Sequence, residues 1–140
     1  MAITLQKFNC FVQDMGRGVH NLNSNTLKVM LTDVPPVATN AVLTDLTEIT
    51  AGNGYSAGGT AIGSNAFTQT GGIGMLAGNN VTFTAVTGPM ATFRYAAIYN
   101  STASGHNLIG WYDYGSEVTL AVGQAFTVAF DGTNGILQVS

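Results

Sequence analysis

The stretch from Met90 to Phe130 limits what this chain can fold into more than any other. It holds eight of the thirteen aromatic side chains: Phe93, Tyr95, Tyr99, Trp111, Tyr112, Tyr114, Phe126 and Phe130. Their spacing is that of strands. In TFRYAAIY, Phe93, Tyr95, Ala97 and Tyr99 fall on one face, and Thr92, Arg94, Ala96 and Ile98 on the other. This is the two-residue alternation of an extended backbone. Turn-forming residues interrupt at Ser101–Gly105, at Tyr114–Ser116 and at Gly123. The pattern predicts four strands separated by three turns, hence a compact antiparallel β domain.

A chain of 140 residues with 46% apolar content suits one domain, residues 1–140, with a proper core. Only 8% of the residues are charged, against about 25% in an ordinary soluble domain. Four basic and seven acidic side chains cannot cover a free monomer in the usual way. The surface is expected to be Ser, Thr, Asn, Gln and Gly, or to lie partly against other protein. Secreted β domains and virion proteins share this composition. Lys7, Arg17, Lys28 and Arg94 are scattered and the net charge is −3. Phosphate neutralisation needs clustered Lys and Arg, so direct nucleic-acid binding is not expected.

Cys10 is the single cysteine. It excludes an internal disulfide and a Cys-rich metal site, and predicts a small buried hydrophobe. MAITLQKFNC lacks a charged segment followed by an apolar one, and no apolar run approaches ~18 residues, so neither a secretory signal nor a membrane span is expected. Synthesis in a reducing cytoplasm follows.

Residues 5–20 change period. Phe8, Phe11, Val12, Met15 and Val19 form one helical stripe, with Lys7, Gln13, Asp14 and Arg17 pointing elsewhere. Gly16 and Gly18 predict that the helix ends near Met15. Two roles stay open for this lead-in (residues 1–20): packing on the sheet edge, or docking as an arm on a neighbouring subunit. Thr26–Thr32 reads as a strand, and Pro35-Pro36 blocks its continuation. Leu43, Leu46 and Ile49 predict one or two helical turns over Ala41–Ile49, with Asn40 as cap.

Residues 51–74 are rich in glycine but lack the Lys-Ser/Thr pair and following helix of a phosphate-binding loop, and the crossover of a dinucleotide site. Glycine here predicts turns and bulges, with Asn53-Gly54 as a hairpin turn. Strands follow at Thr60–Gln69, Val81–Val86, Asn107–Asp113, Glu117–Ala121, Ala125–Phe130 and Gly135–Val139. About eight strands with many glycine-containing turns predict a mostly β fold. The architecture is an antiparallel two-sheet sandwich of jelly-roll or Greek-key type, with a short N-terminal helix.

No chemistry assembles from the motifs. His20 and His106 sit in separate turn contexts without metal-ligand spacing. No GxSxG elbow is present. Asp113 and Glu117 flank Tyr114-Gly115 beside Trp111, a spacing a glycosidase could use, yet acids are common in turns for local hydrogen bonding. Asn80-Val-Thr and Asn100-Ser-Thr match the glycosylation pattern and carry no weight without secretion. No enzyme activity, metal or cofactor is expected.

Trp111 and Tyr112, adjacent on a strand, must point to opposite faces. One is expected in the core and the other at an interface, where aromatics act as anchors. Trp111, Tyr112 and Tyr114, with Phe8 and Phe11 of the lead-in, are the candidate interface residues.

The segments TLKVMLTDVPPVATNAVLTDLTEITAGNGYSAGGTA, FRYAAIYN, LIGWYDYGSEVTLAVGQAFTVAFD and GILQVS resemble a small virion protein of tailed double-stranded-DNA bacteriophages. KFNCFVQDMGRGVHNL is similar to the helical lead-in of such proteins, and the likeness runs from about Phe8 to Val139. The chain is most similar to the jelly-roll cement, or head-decoration, proteins on the outer face of HK97-like capsids. The resemblance implies a homodimer or homotrimer bound across joints between major capsid protein subunits, on the virion surface, with no cofactor and no catalytic residue. The alternative is a head- or tail-fibre module of the same fold that binds host-surface carbohydrate through exposed aromatics such as Trp111. The absence of internal repeats favours decoration.

Overall fold

The computed structural model describes residues 4–140, and it is an antiparallel β-sandwich with one short helix near its N-terminus. Among the described residues the strands are β1 (Gln6–Lys7), β2 (Leu27–Thr32), β3 (Thr60–Ala61), β4 (Ala66–Thr70), β5 (Ile73–Ala77), β6 (Val81–Thr84), β7 (Phe93–Asn100), β8 (Leu108–Val118), β9 (Ala125–Val128) and β10 (Leu137–Val139). The helix α1 spans Asn9–Gly16, and a single 3₁₀ turn spans Leu43–Asp45. One layer is a five-stranded sheet in the order β1-β8-β7-β2-β3. Facing its core side are a three-stranded sheet, β10-β5-β4, and the pair β6-β9. The pairings are nested: β1–β8 encloses β2–β7, and β5–β10 encloses β6–β9. A long double strand folded over on itself produces this pattern, as in Greek-key and jelly-roll sandwiches.

The sequence of β2, LKVMLT, explains its central place. Leu27, Val29 and Leu31 enter the main core, where they meet Ala96, Ile98 and Ile109 of the same sheet and Leu76, Val81, Phe83 and Val128 of the opposite layer. Met30 points the other way, into a smaller core with Phe8, Ala97, Tyr99 and Leu108. The five-stranded sheet is thus covered on both faces, by the second layer on one side and by α1 and the 3₁₀ turn on the other. That is why β2 and β7 read as nearly unbroken apolar runs.

Several local expectations are realised by specific bonds. Asn53 and Gly54 both have positive φ (53° and 100°), and Gly52 and Tyr55 exchange two backbone hydrogen bonds around them, the two-residue hairpin that Asn-Gly favours. The helix ends where Gly18 turns at φ +76° and its N–H bonds Met15 O.

Other expectations are corrected. The predicted turn at Tyr114–Ser116 does not reverse the chain; β8 runs through it. Phe93 pairs with Val118 and Tyr95 with Asp113, so between these pairs the single residue Arg94 of β7 faces four residues of β8. The excess is absorbed in a bulge where Gly115 (φ +84°) donates its N–H to Asp113 Oδ1. The same irregularity puts Phe93 in the main core with Ala96 and Ile98, while Ala97 and Tyr99 face the smaller one. The strand expected over Thr60–Gln69 is two strands in different layers, separated at Gly63–Asn65, with Ser64 at φ 53°. Strand β5 was hidden by its glycine: a Cβ on Gly74 would meet the Phe67 ring at 2.5 Å. The 3₁₀ turn is held by Asp45, whose Oδ2 accepts the N–H groups of Ala41 and Val42; these bonds hold its carboxyl below the usual range. Asn40, the expected cap, instead accepts from Val37 N–H.

Candidate interaction surfaces

The five residues singled out as interface anchors fall into two groups. Phe8, Phe11 and Tyr112 are buried in their own chain (1%, 2% and 5% exposed), so the expectation that they meet a partner is corrected. The helical lead-in is part of the fold. Phe8 fills the smaller core, and Phe11 enters the main one and stacks on His20 at 5.6 Å. The helical stripe is also shifted: Val12 is 73% exposed, whereas Asp14, expected to point outward, is buried. Asp14 is drawn in because its Oδ2 accepts the Asn107 side-chain amide at 3.0 Å.

Trp111 and Tyr114 are half-buried. Trp111 lies on the face opposite Tyr112 and leans on Phe8, ring centroids 4.6 Å apart. Tyr114 packs edge-on against Phe126 at 4.8 Å, and Tyr112 lies between Tyr114 and Phe130. Burial pushes the Tyr112 hydroxyl up to about 12 and raises that of Tyr114. Both stay protonated and uncharged across the physiological range.

Titratable groups that could do chemistry are used structurally. Arg94 Nε and Nη2 bond the two oxygens of Asp113 at 2.9 and 3.2 Å, across the β7–β8 ladder. That pairing occupies one member of the Asp113/Glu117 pair. Tyr55 donates its hydroxyl to Glu48 Oε2 at 2.6 Å and accepts Leu31 N–H; Gly58 N–H bonds the same carboxylate oxygen. The Cys10 thiol is half-buried against the carbonyls of Asn40, Ala41 and Leu108, and burial pushes its pKa up. Asn100 is fully buried, its amide donating to His20 Nδ1 and Asn25 and its oxygen accepting from Thr102 and Ala103, which leaves no access for a glycan. Among the described residues no three His, Cys, Asp or Glu side chains are placed to hold a metal ion, and no helix is long and apolar enough to cross a membrane.

An open cleft of about 430 Å³ lies between β1 and β10, lined by Lys7, Tyr112, Asp131, Asn134 and Gln138 among others. Its polar groups are committed to one another. Lys7 Nζ donates to Gln138 O, and Asp131 accepts from Thr133 N–H, Asn134 N–H and the Asn134 amide. A ligand would find few free donors or acceptors there.

His20 yields a pH prediction. Its side chain has no exposure; Nδ1 meets the Asn100 amide at 3.1 Å, and Nε2 has no hydrogen-bond partner among the described residues, lying 4.0 Å from Asp14 Oδ2. Burial lowers its pKa, with Asp14 pulling the other way. The unfolded chain therefore binds more protons than the folded one as pH falls below about 6.5. Stability present at neutral pH should be lost on acidification through that point. The urea midpoint should fall between pH 7.5 and 5.5, and fall less in His20→Gln. A midpoint that rises on acidification would mean that the ion pair with Asp14 outweighs burial.

The feature that sequence reading passed over is where the charges are not. The 45 residues from Ile49 to Phe93 contain no Asp, Glu, Lys or Arg, and from Val118 to Ser140 the only such residue is Asp131. The fold brings these two segments together, since β6 pairs with β9 and β5 with β10. The second layer is therefore built from uncharged strands. Its solvent side carries Thr68, Thr70, Thr82, Thr84 and Thr127, with the Thr82 and Thr127 hydroxyls 3.0 Å apart. Exposed Val86 and Val122 sit at one end, brought together by the Gly123 N–H to Ala85 O bond. Compared with protein-family models, curated proteins and solved structures, the chain matches none of them.

Proposed function

We propose that this chain is a capsid cement protein: it binds the outer surface of a tailed-phage head, docking on major capsid protein subunits through its uncharged second layer. One observation supports the reading. Ten of the eleven charged side chains belong to the five-stranded sheet, its connections and its helix, and only Asp131 lies outside that set. Desolvating a charge without a partner is costly, whereas hydroxyl and amide groups can be buried at low cost once hydrogen-bonded. Interface centres are correspondingly poor in charge. A face of threonines stays wet in the free protein and loses little when covered. The aromatic resemblance to decoration proteins points the same way.

The mechanism needs no catalytic group. A protein that binds the expanded shell and not its dissociated subunits stabilises that shell by RT ln(1 + [L]/Kd) at each site. Many sites per particle multiply a modest single-site effect.

Co-sedimentation with expanded heads stripped of their decoration tests this directly. Saturable binding that raises the temperature of DNA release is the expected result. Replacing Thr82 and Thr127 with Lys should weaken binding about tenfold or more while the far-UV spectrum is unchanged, because each ammonium must be desolvated against the shell. Trp111→Ala, on the opposite face, should bind normally. Loss of binding in Trp111→Ala alone would place the interface on the five-stranded sheet, and binding to host envelopes instead of heads would replace cement with receptor recognition.

A further inference from the structure

Strand β4 (Ala66–Thr70) is the longest strand with one unpaired side among the described residues; it bonds only β5. The hairpin register says which of its backbone groups face outward. Thr70 pairs with Ile73 across Gly71-Gly72, both at positive φ (59° and 84°). That is a two-residue turn of the primed type, whose flanking residues form a hydrogen-bonded pair. Thr70, Thr68 and Ala66 therefore direct their N–H and C=O groups to β5, and Phe67 and Gln69 direct theirs outward. Phe67 N–H is taken by the Asn23 side chain at 3.1 Å. Among the described residues, the backbone N–H and C=O of Gln69 have no protein partner.

Sheet edges in natural proteins are guarded by charge, proline, bulges or brevity. Here β1 and β3 are two residues long, and the β10 edge has Lys7 bonded to Gln138 O. β4, AFTQT, has no charge, proline or bulge; Asn23 caps its edge at Phe67, and Thr68, Gln69 and Thr70 beyond that cap are exposed.

We propose that β4 pairs with β4 of a second copy of this chain, antiparallel about a twofold axis at Gln69. In that register the Gln69 N–H of each copy donates to the Gln69 carbonyl of the other, and Thr68 of one faces Thr70 of the other. The three-stranded sheet becomes continuous across the dimer. The contact is self-complementary, as a closed twofold interface requires. Charge also favours a second copy. Neither β4 nor residues 21–25, which bond Phe67 and the preceding Asn65, carry a charged side chain, so the paired strands themselves oppose no like charges in two molecules of net charge −3. The pairing concerns two copies in solution and stands apart from head binding, so either proposal can fail alone.

Sedimentation velocity at micromolar concentration should show a dimer. Gln69→Pro removes the donor and should shift the protein to monomer with an unchanged near-UV spectrum. Gln69→Lys places like charges opposite each other, so its dimer should be weak at low salt and recover at high salt. Gln69→Cys should form an intermolecular disulfide on mild oxidation, because facing residues of a hydrogen-bonded pair lie about 5.5 Å apart; Ser116→Cys should not. A wild-type monomer, a dimer that survives Gln69→Pro, or a dimer in which Gln69→Cys fails to cross-link would each overturn the proposal.

Discussion

Phe11→Ala is expected to lower the stability of the isolated domain by about 3–5 kcal/mol, the usual cost of truncating a fully buried phenylalanine. The side chain is 2% exposed and lies in the main core against His20. An eight-residue helix has little stability of its own in water. α1 is held by what its ring and its carboxylate touch: Phe11 in the core, and Asp14 on Asn107. Removing the ring therefore loosens the helix as well as leaving a void. Phe8→Ala should act similarly, since Phe8 joins Met30, Tyr99 and Leu108 under the outer face of the five-stranded sheet. Deleting residues 1–15 removes both rings, and should bring the domain close to unfolding. A detachable arm would behave otherwise: the truncated chain would keep its urea midpoint and lose only its binding to partners. Equilibrium urea unfolding of the three variants separates these outcomes.

Gly59→Ala should be the most damaging single methyl in the chain, costing more than about 3 kcal/mol. Gly59 has φ +79°, a conformation that alanine adopts only under strain. An added Cβ would stand 1.9 Å from Val29 O and 2.9 Å from Met30 Cα. Both are backbone atoms of β2, a strand paired on both sides, so neither can swing away as a flexible side chain would. The matching control is a glycine of similar angle in open space. Gly71 has φ +59° and nothing within 4 Å, so Gly71→Ala should cost only about 1–2 kcal/mol. If the two substitutions shift the urea midpoint equally, backbone angle alone sets the cost, and the close approach of Gly59 to β2 is not tight.

The fold class was legible because antiparallel strands write their period into the chain. β7 and β2 alternate or run apolar over their whole length, and the Asn53-Gly54 turn needs residues that tolerate positive φ. The end of α1 was legible for a similar reason, in Gly16 and Gly18. What failed were features whose signal is ambiguous locally. Gly115 beside Asp113 reads as a turn, and a bulge uses the same residues and the same Asx hydrogen bond. In a helix as short as α1, a stripe read from spacing alone tilts easily. Asn107, 93 residues further on, decides that Asp14 goes in and Val12 stays out. The candidate docking face was in plain view as a 45-residue run without charge, but such a run becomes a surface only when its strands are assigned to one layer.

By itself, then, the sequence determined the strand-rich class, the tight turns and the scarcity of charge, all of which follow from residues within a few positions of one another. The tertiary structure alone decided which strands share a layer, that the lead-in is core, and that the strands of the second layer carry no charge. Those outcomes depend on partners such as Val81 and Val128, or Gln6 and Trp111, that local periodicity cannot pair. A strand's pattern says which residues share a face; only its neighbour across the sheet says what that face will meet.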